Sequence, residues 1–235
     1  MRSICTLLFL SLLISCGSPN KKTMQVTGTI DGLRKGTLYL QKVQDTTLVN
    51  IDSFKVEKDK PFILGDDIDS AQIYYLYLDK EDGDSLNDRI QFFGEKGEIT
   101  INSLLKTFES SAQISGSENH ILWKDYQSML KKFNDKSLDL VKAYLQEDSL
   151  SLEEREAKFN LESQRLLKRR YLFALNYANN HADKEIAAYV GLYEVNDANP
   201  KFLDSLYSKM SENVKNSTYG VEFGKYLASL KEVKE

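Results

Sequence analysis

The groups in this chain able to do chemistry are few and scattered. His120 and His181 are the only histidines. Metal sites draw on several His, Cys or carboxylate ligands at close spacing, and neither histidine has such company. His120 stands where a helix opens, and His181 where one ends beside Asn179 and Asn180, so both read as helix-end residues. The run "DKEDGDSLND" gathers Asp79, Glu81, Asp82, Asp84 and Asp88. Oxygen-rich loops hold calcium, but an EF-hand needs Gly at its sixth position and Glu at its twelfth. Counted from Asp79, Gly83 comes one place early and Ile90 stands where the Glu should be, so the run reads as a solvated loop. Lys168, Arg169 and Arg170 could meet anionic head groups or a partner. The nearby Glu153, Glu154, Glu156 and Glu162 make a solvated face the plainer reading. The stretch "IYYLYL" puts tyrosine on both sides of a strand. Exposed tyrosines suit recognition of sugars or peptides, whereas a two-sided packed strand needs no ligand. Neither a Gly-rich phosphate loop nor G-x-S-x-G occurs. The sequence therefore assigns no catalytic residue, no metal ligand and no cofactor site, and the expectation is a protein that is not an enzyme.

The two cysteines tell more. Arg2 gives a positive start, Ile4 to Ile14 is almost continuously apolar, and Ser15 is a small residue before Cys16. That is the layout of a secretory leader, and the stretch is shorter than the ~20 residues of a membrane-spanning helix. Leu13-Ile14-Ser15-Cys16 resembles the lipobox of bacterial lipoproteins. The resemblance implies that residues 1–15 are removed, that the Cys16 thiol carries a diacylglycerol, and that the new amino group is acylated. One acyl chain anchors weakly and two or more make anchoring stable. Cys5 would leave with the leader and Cys16 would become a thioether, so no free thiol would remain for disulfide or nucleophilic chemistry. Residues 16–23 then form a lipidated tether. By the sorting rules of such lipoproteins, Gly17 and Ser18 carry no inner-membrane retention Asp. The expected address is the cell envelope, at the periplasmic face of the outer membrane.

The composition is that of a globular protein, 41% hydrophobic and 28% charged with net charge −4. Mixed charge without a basic stripe excludes nucleic acid as a partner. From Met24 the apolar period is two. Val26 and Ile30, Leu38 and Leu40, Phe54 and Val56, Phe62 and Leu64, Ile73 to Leu78, Ile90 and Phe92, Ile99 and Ile101, and Ile114 mark about eight short strands. This predicts an antiparallel β-sandwich or barrel over residues 24–116. After "SGSENH" the period turns helical. Leu122, Tyr126, Met129, Leu130 and Phe133 share a face, and Leu138, Val141, Tyr144 and Leu145 are read as extending it. Ser151 and Glu154 form a capping-box pattern for a second helix, along which Leu152, Phe159, Leu166 and Phe173 recur every seventh residue. Two helices of ~40 Å at 1.5 Å per residue predict an antiparallel hairpin. Shorter helices follow over Glu185 to Tyr193, after Asn199-Pro200, and over Tyr219 to Val233. The fold class is α+β, with a helical region over residues 117–235. Trp123, the only tryptophan, is expected at the contact between sheet and helices.

Several stretches read together: "TGTIDGLRKGTLYLQKV", "IDSFKVEKDKPFILGD", "GEITINS", "QISGSENH", "EIAAYVGLYEV" and "NSTYGVEFGKYL". From about Met24 to Leu230 they resemble the domain of unknown function 4369 family, the N-terminal region of many thioredoxin-like lipoproteins of Gram-negative bacteria. In that family a β-sheet domain and helices precede a thioredoxin fold of the thiol–disulfide interchange type. This sequence ends at Glu235, where the long members would enter that fold, and it has no Cys-x-x-Cys, so their redox activity is not carried over. The leading expectation is a lipid-anchored, non-enzymatic binding or interaction module with an envelope protein as partner. The alternatives are a redox-inert accessory of a thioredoxin-like system and an envelope hydrolase with a site assembled from scattered carboxylates.

Overall fold

Alternating burial along the strands builds the first layer pair. In the computed structural model, which describes residues 22–57, 60–80 and 89–232, eight strands form two four-stranded sheets. One sheet has the order β4-β1-β7-β8 and the other β3-β2-β5-β6. The strands are β1 (Met24–Asp31), β2 (Thr37–Gln44), β3 (Thr47–Lys55), β4 (Phe62–Asp66), β5 (Gln72–Asp79), β6 (Arg89–Gly94), β7 (Gly97–Leu104) and β8 (Gln113–Ser115). Val26, Phe62, Leu64, Ile99 and Ile101 of the first sheet share one buried core with Leu38, Leu40, Tyr74, Leu76 and Ile90 of the second. Burying one face of each sheet against the other is what the period-two pattern requires.

All pairings are antiparallel except β1 with β7, which run parallel over Met24–Asp31 and Gly97–Leu104. That ladder is tight at Gly28. Any Cβ there would lie 1.8 Å from the carbonyl oxygen of Ile101 opposite it, so only glycine lets the two backbones approach.

The helices make a third layer on the outer face of the β3-β2-β5-β6 sheet. They are α1 (Glu118–Gln146), α2 (Leu152–Asn180), α3 (Glu185–Tyr189), α4 (Pro200–Lys209), α5 (Glu212–Lys215) and α6 (Thr218–Glu232), with a π-helical turn at Val190–Glu194 directly after α3. Ile73 of β5 and Phe93 of β6 point away from the sandwich core. They pack with Trp123, Tyr126, Leu175, Ile186 and Phe223 in a second buried cluster. The start of α1 is fixed by charge and hydrogen bonds. The Glu95 carboxylate, from the β6–β7 turn, accepts from the Glu118 and Asn119 backbone N–H groups at 2.6 and 3.1 Å, an anion at a helix N-terminus. The Asn119 side chain donates to Glu95 and Glu185 and accepts from the Ile186 N–H. Sandwich, α1 and α3 thus meet at one residue.

The capping box of Ser151 and Glu154 is present, as is the Asn199 cap with Pro200 in the first turn. α1 and α2 pack as a hairpin, with Phe133 against Phe173 and Tyr144 against Phe159. Four residues expected on the stripes depart from this seam. Leu138, Val141 and Leu145 are exposed rather than continuing the Tyr126–Phe133 face, because Leu140 and Tyr144 take the seam and their neighbours turn away from it. Leu152 is exposed too, since it sits at the hairpin turn where α1 has already ended.

Candidate functional site

Four tyrosines converge where the sheet meets the helices. Tyr75 lies on the outer face of β5, one pleat from Ile73. Tyr189 ends α3, Tyr193 stands four residues later in the π-helical turn, and Tyr219 opens α6. Together with Gln72, Gln91, Glu194 and Glu222 they line an open cleft of about 640 Å³, with Val43 and Asp45 at the end of the β2–β3 hairpin on its rim. The three helical tyrosines pack edge-on or tilted. Centroids are 5.4 Å apart for Tyr189–Tyr219, 5.7 Å for Tyr193–Tyr219 and 5.2 Å for Tyr189–Tyr193. The π-helical turn makes this arrangement possible. A π-helix places residues five apart in register, and here it seats Gly191 against the Phe223 ring, where a Cβ would come within 2.6 Å. Tyr193 is thereby left about half exposed, facing the cleft.

Several polar groups of the cleft are held by hydrogen bonds. The Tyr219 hydroxyl accepts from the Ile73 backbone N–H at 2.9 Å, which ties α6 to the sheet. Tyr193 donates to Glu222 at 3.1 Å. Tyr126, behind the cleft, donates to Glu194 at 3.5 Å, and Arg170 of α2 pairs with the same carboxylate at 3.6 Å. Burial first, and the nearby carboxylates second, push the Tyr189 and Tyr193 phenols up to about 12, and burial pushes Tyr219 up as well. The phenols are therefore neutral at physiological pH and offer apolar faces with polar tips. Among the described residues no lysine or arginine lines the cleft. Beyond the cleft the outer sheet face continues as a stack of Tyr39 on Tyr77, centroids 6.0 Å apart, with the Arg89 guanidinium 4.6 Å from the Tyr77 ring. The arrangement can hold a flat ligand that is rich in hydrogen-bond donors and is not an anion.

Of the residues singled out in the sequence, Tyr75 of "IYYLYL" lines the cleft; the others that the structure describes lie elsewhere. Cys16 and its lipobox fall outside the described residues, as do residues 81–88 of the acidic run; Asp79 closes β5. His120 is buried at the start of α1, and His181 caps the end of α2 with its ring 4.6 Å from that of Tyr177. Among the described residues no group of three or more His, Cys, Asp or Glu is placed to hold a metal ion, and no helix is long and apolar enough to cross a membrane. Of the basic cluster, Arg170 turns in to Glu194, while Lys168 and Arg169 stay exposed. The "IYYLYL" stretch divides as its alternation implies: Tyr74 lies in the sandwich core, Tyr75 and Tyr77 on the outer face. Sequence reasoning did not find Tyr189, Tyr193, Tyr219, Glu194 or Glu222. The one local signal was the four-residue spacing of Tyr189 and Tyr193 beside Glu194, which reads equally well as an ordinary helix face.

The fold and cleft define a β-sandwich with a helical cover and an open aromatic site between them. Residues 24–123 match the family model of a domain of unknown function (DUF4369), so the chain is similar to that family from the first strand to Trp123. The match takes in the eight strands described and the first six residues of α1 and ends before most of the helical layer. No curated protein and no solved structure matches the chain.

Proposed function

We infer that this protein is a non-enzymatic binding module, held at the cell envelope by a lipid on Cys16, and that the tyrosine-lined cleft receives its ligand. The observation that carries the reading is the cleft itself: neutral phenol faces, amide and carboxylate acceptors and, among the described residues, no basic group in one 640 Å³ opening. Binding sites of this size are commonly concave with a few convergent polar groups. The acceptors select donors, the lack of cations selects against anions, and the ring faces suit the apolar face of a sugar. A neutral oligosaccharide meets all three conditions. Glu194 and Glu222 are both already engaged, with Arg170 and Tyr126 and with Tyr193, which favours holding a ligand over acid–base chemistry on one.

Two experiments test this reading. Titration calorimetry with a panel of neutral and anionic oligosaccharides should find binding among the neutral ones only. Tyr193→Ala and Glu222→Gln should each weaken it about tenfold, the equivalent of ~1.4 kcal/mol, with little change in melting temperature. Binding that survives both substitutions, or that prefers anionic sugars, would discard the cleft as the site. For the anchor, Cys16→Ala should accumulate as an uncleaved precursor that takes up no labelled palmitate; a mutant that still labels would refute lipidation at Cys16.

A further inference from the structure

The side of α2 turned away from α1 is uncovered over much of its length. Ala157, Leu161, Lys168 and Leu172 are exposed along it, Leu161 and Leu172 at 49% and 47%. Towards the root of the hairpin this ridge runs into an apolar groove of about 390 Å³ between α2 and α4, lined by Leu167, Leu172, Leu175 and Phe202, with Lys168 at its edge. Phe202 itself is 54% exposed. Apolar surface collected in this way on a surface helix normally has a partner.

The charges on the ridge say which partner. Leu161 lies at its centre. Glu154 is seven residues before it and Lys168 seven residues after it, about 10 Å along the axis on either side at 1.5 Å per residue. Glu153 adds to the acidic end, whereas Arg165 and Arg169 turn to the α1 side of α2, where they line a groove with Lys136 and Asp139. A parallel copy of the same ridge would set acid against acid and base against base. An antiparallel copy, turned about a two-fold axis through Leu161, sets each Glu154 against the other chain's Lys168. Leu161 then meets itself, and the Leu150 turn of one hairpin meets Leu172 and the groove of the other. Self-complementarity about a point is the property a two-fold interface requires.

We propose that the protein forms a two-fold dimer through antiparallel packing of α2 on α2, centred on Leu161 and aligned by Glu154 opposite Lys168. The occupant of the ridge and groove is a second copy of this chain. The interface lies on the far side of the hairpin from the seam with α1 and leaves the tyrosine cleft open on both copies.

The test uses the full chain in the membranes of the cells that make it. Leu161→Cys under mild oxidation should give a disulfide-linked dimer at least tenfold more abundant than Leu138→Cys, an exposed position on α1 away from the ridge, with the unsubstituted chain as background. In the Leu161→Cys chain, reversing the basic end with Lys168→Glu should abolish the cross-link. Reversing the acidic end with Glu153→Lys and Glu154→Lys should do the same. Co-expressing the two reversed chains should restore it between them, which also shows that both remain folded. Equal cross-linking at Leu161 and Leu138 would overturn the proposal, as would indifference to charge reversal. So would a reversal whose only effect is on pelleting with phosphatidylglycerol vesicles, which would assign the basic end to the membrane surface.

Discussion

Trp123→Ala should lower the melting temperature of the whole protein by about 10 °C in a single cooperative step. Trp123 is 5% exposed. Its ring meets Phe93 of β6 edge-on at 6.2 Å and lies 5.7 Å from the ring of His120. The same buried cluster contains Ile73 of β5, Tyr126 of α1, Ile186 of α3 and Phe223 of α6. Cutting a buried tryptophan to alanine costs about 3–5 kcal/mol, and in a chain of this length each kcal/mol moves the midpoint by about 2–4 °C. Against a total stability of ~5–15 kcal/mol, the loss is large. It should be cooperative because the cavity opens between layers and not within one of them. Wild-type emission should be blue-shifted when folded and move red in step with loss of helix. Ile121→Ala, at an exposed position two residues earlier, should change the midpoint little. Separate melting of strands and helices, with the strand transition unmoved by Trp123→Ala, would show that sandwich and helical layer are independently stable.

Much of the fold is legible in the sequence because its signals are local. Val26, Leu38 and Ile99 alternate with exposed or half-buried neighbours and all point into the sandwich core. Ser151 with Glu154 and Asn199 with Pro200 announce helix starts, and the structure shows both caps. The parallel pairing of β1 with β7 is a different matter. Period two says which side of a strand is apolar but not which distant strand lies beside it, and Gly28 betrays the tight approach only once Ile101 is known to face it. The stripe through Leu138, Val141 and Leu145 misleads for a related reason. These residues satisfy a helical spacing, yet the seam is decided by Phe159 and Phe173 on the other helix. The cleft is the least legible feature. Tyr75 comes from a strand, Tyr189 and Tyr193 from a helix and its π-helical extension, and Tyr219 from the start of the last helix, so no window of sequence holds the site. A count of thirteen tyrosines foretells aromatic mass and not its convergence.

Acidification should destabilise the protein through His120 well before its carboxylates are protonated. His120 is 4% exposed. Its backbone N–H donates to the Ser117 side chain, and its Nδ1 accepts from the Phe93 backbone N–H at 3.4 Å. That acceptance holds the ring neutral with its proton on Nε2. Burial, followed by the neighbouring Lys124 charge, lowers the imidazole to about 4. An unfolded chain has a histidine near 6.5. Below that pH the unfolded state takes up a proton that the folded state refuses, so stability falls as pH falls. The contribution is fully present above pH ~6.5 and is lost as pH falls towards 4, where the folded state begins to protonate as well. At ~1.36 kcal/mol per unit, the loss between pH 7 and pH 5 is about 2 kcal/mol. The carboxylates of Asp67, Glu147 and Glu154 are held below their ordinary values, by Lys22, Ser149 and Ser151 respectively. Their contribution is lost only below the ordinary carboxylate range of ~4, outside this window. His120→Gln keeps a side-chain acceptor for the Phe93 N–H and cannot titrate. Urea unfolding at pH 7 and pH 5 should therefore show the wild type losing about 2 kcal/mol more than His120→Gln across that interval. The substituted protein starts the less stable of the two at pH 7 and closes the gap as the pH falls. Parallel loss in the two proteins would mean that His120 protonates freely in the folded state, and that the joint between β6 and α1 opens enough to admit water.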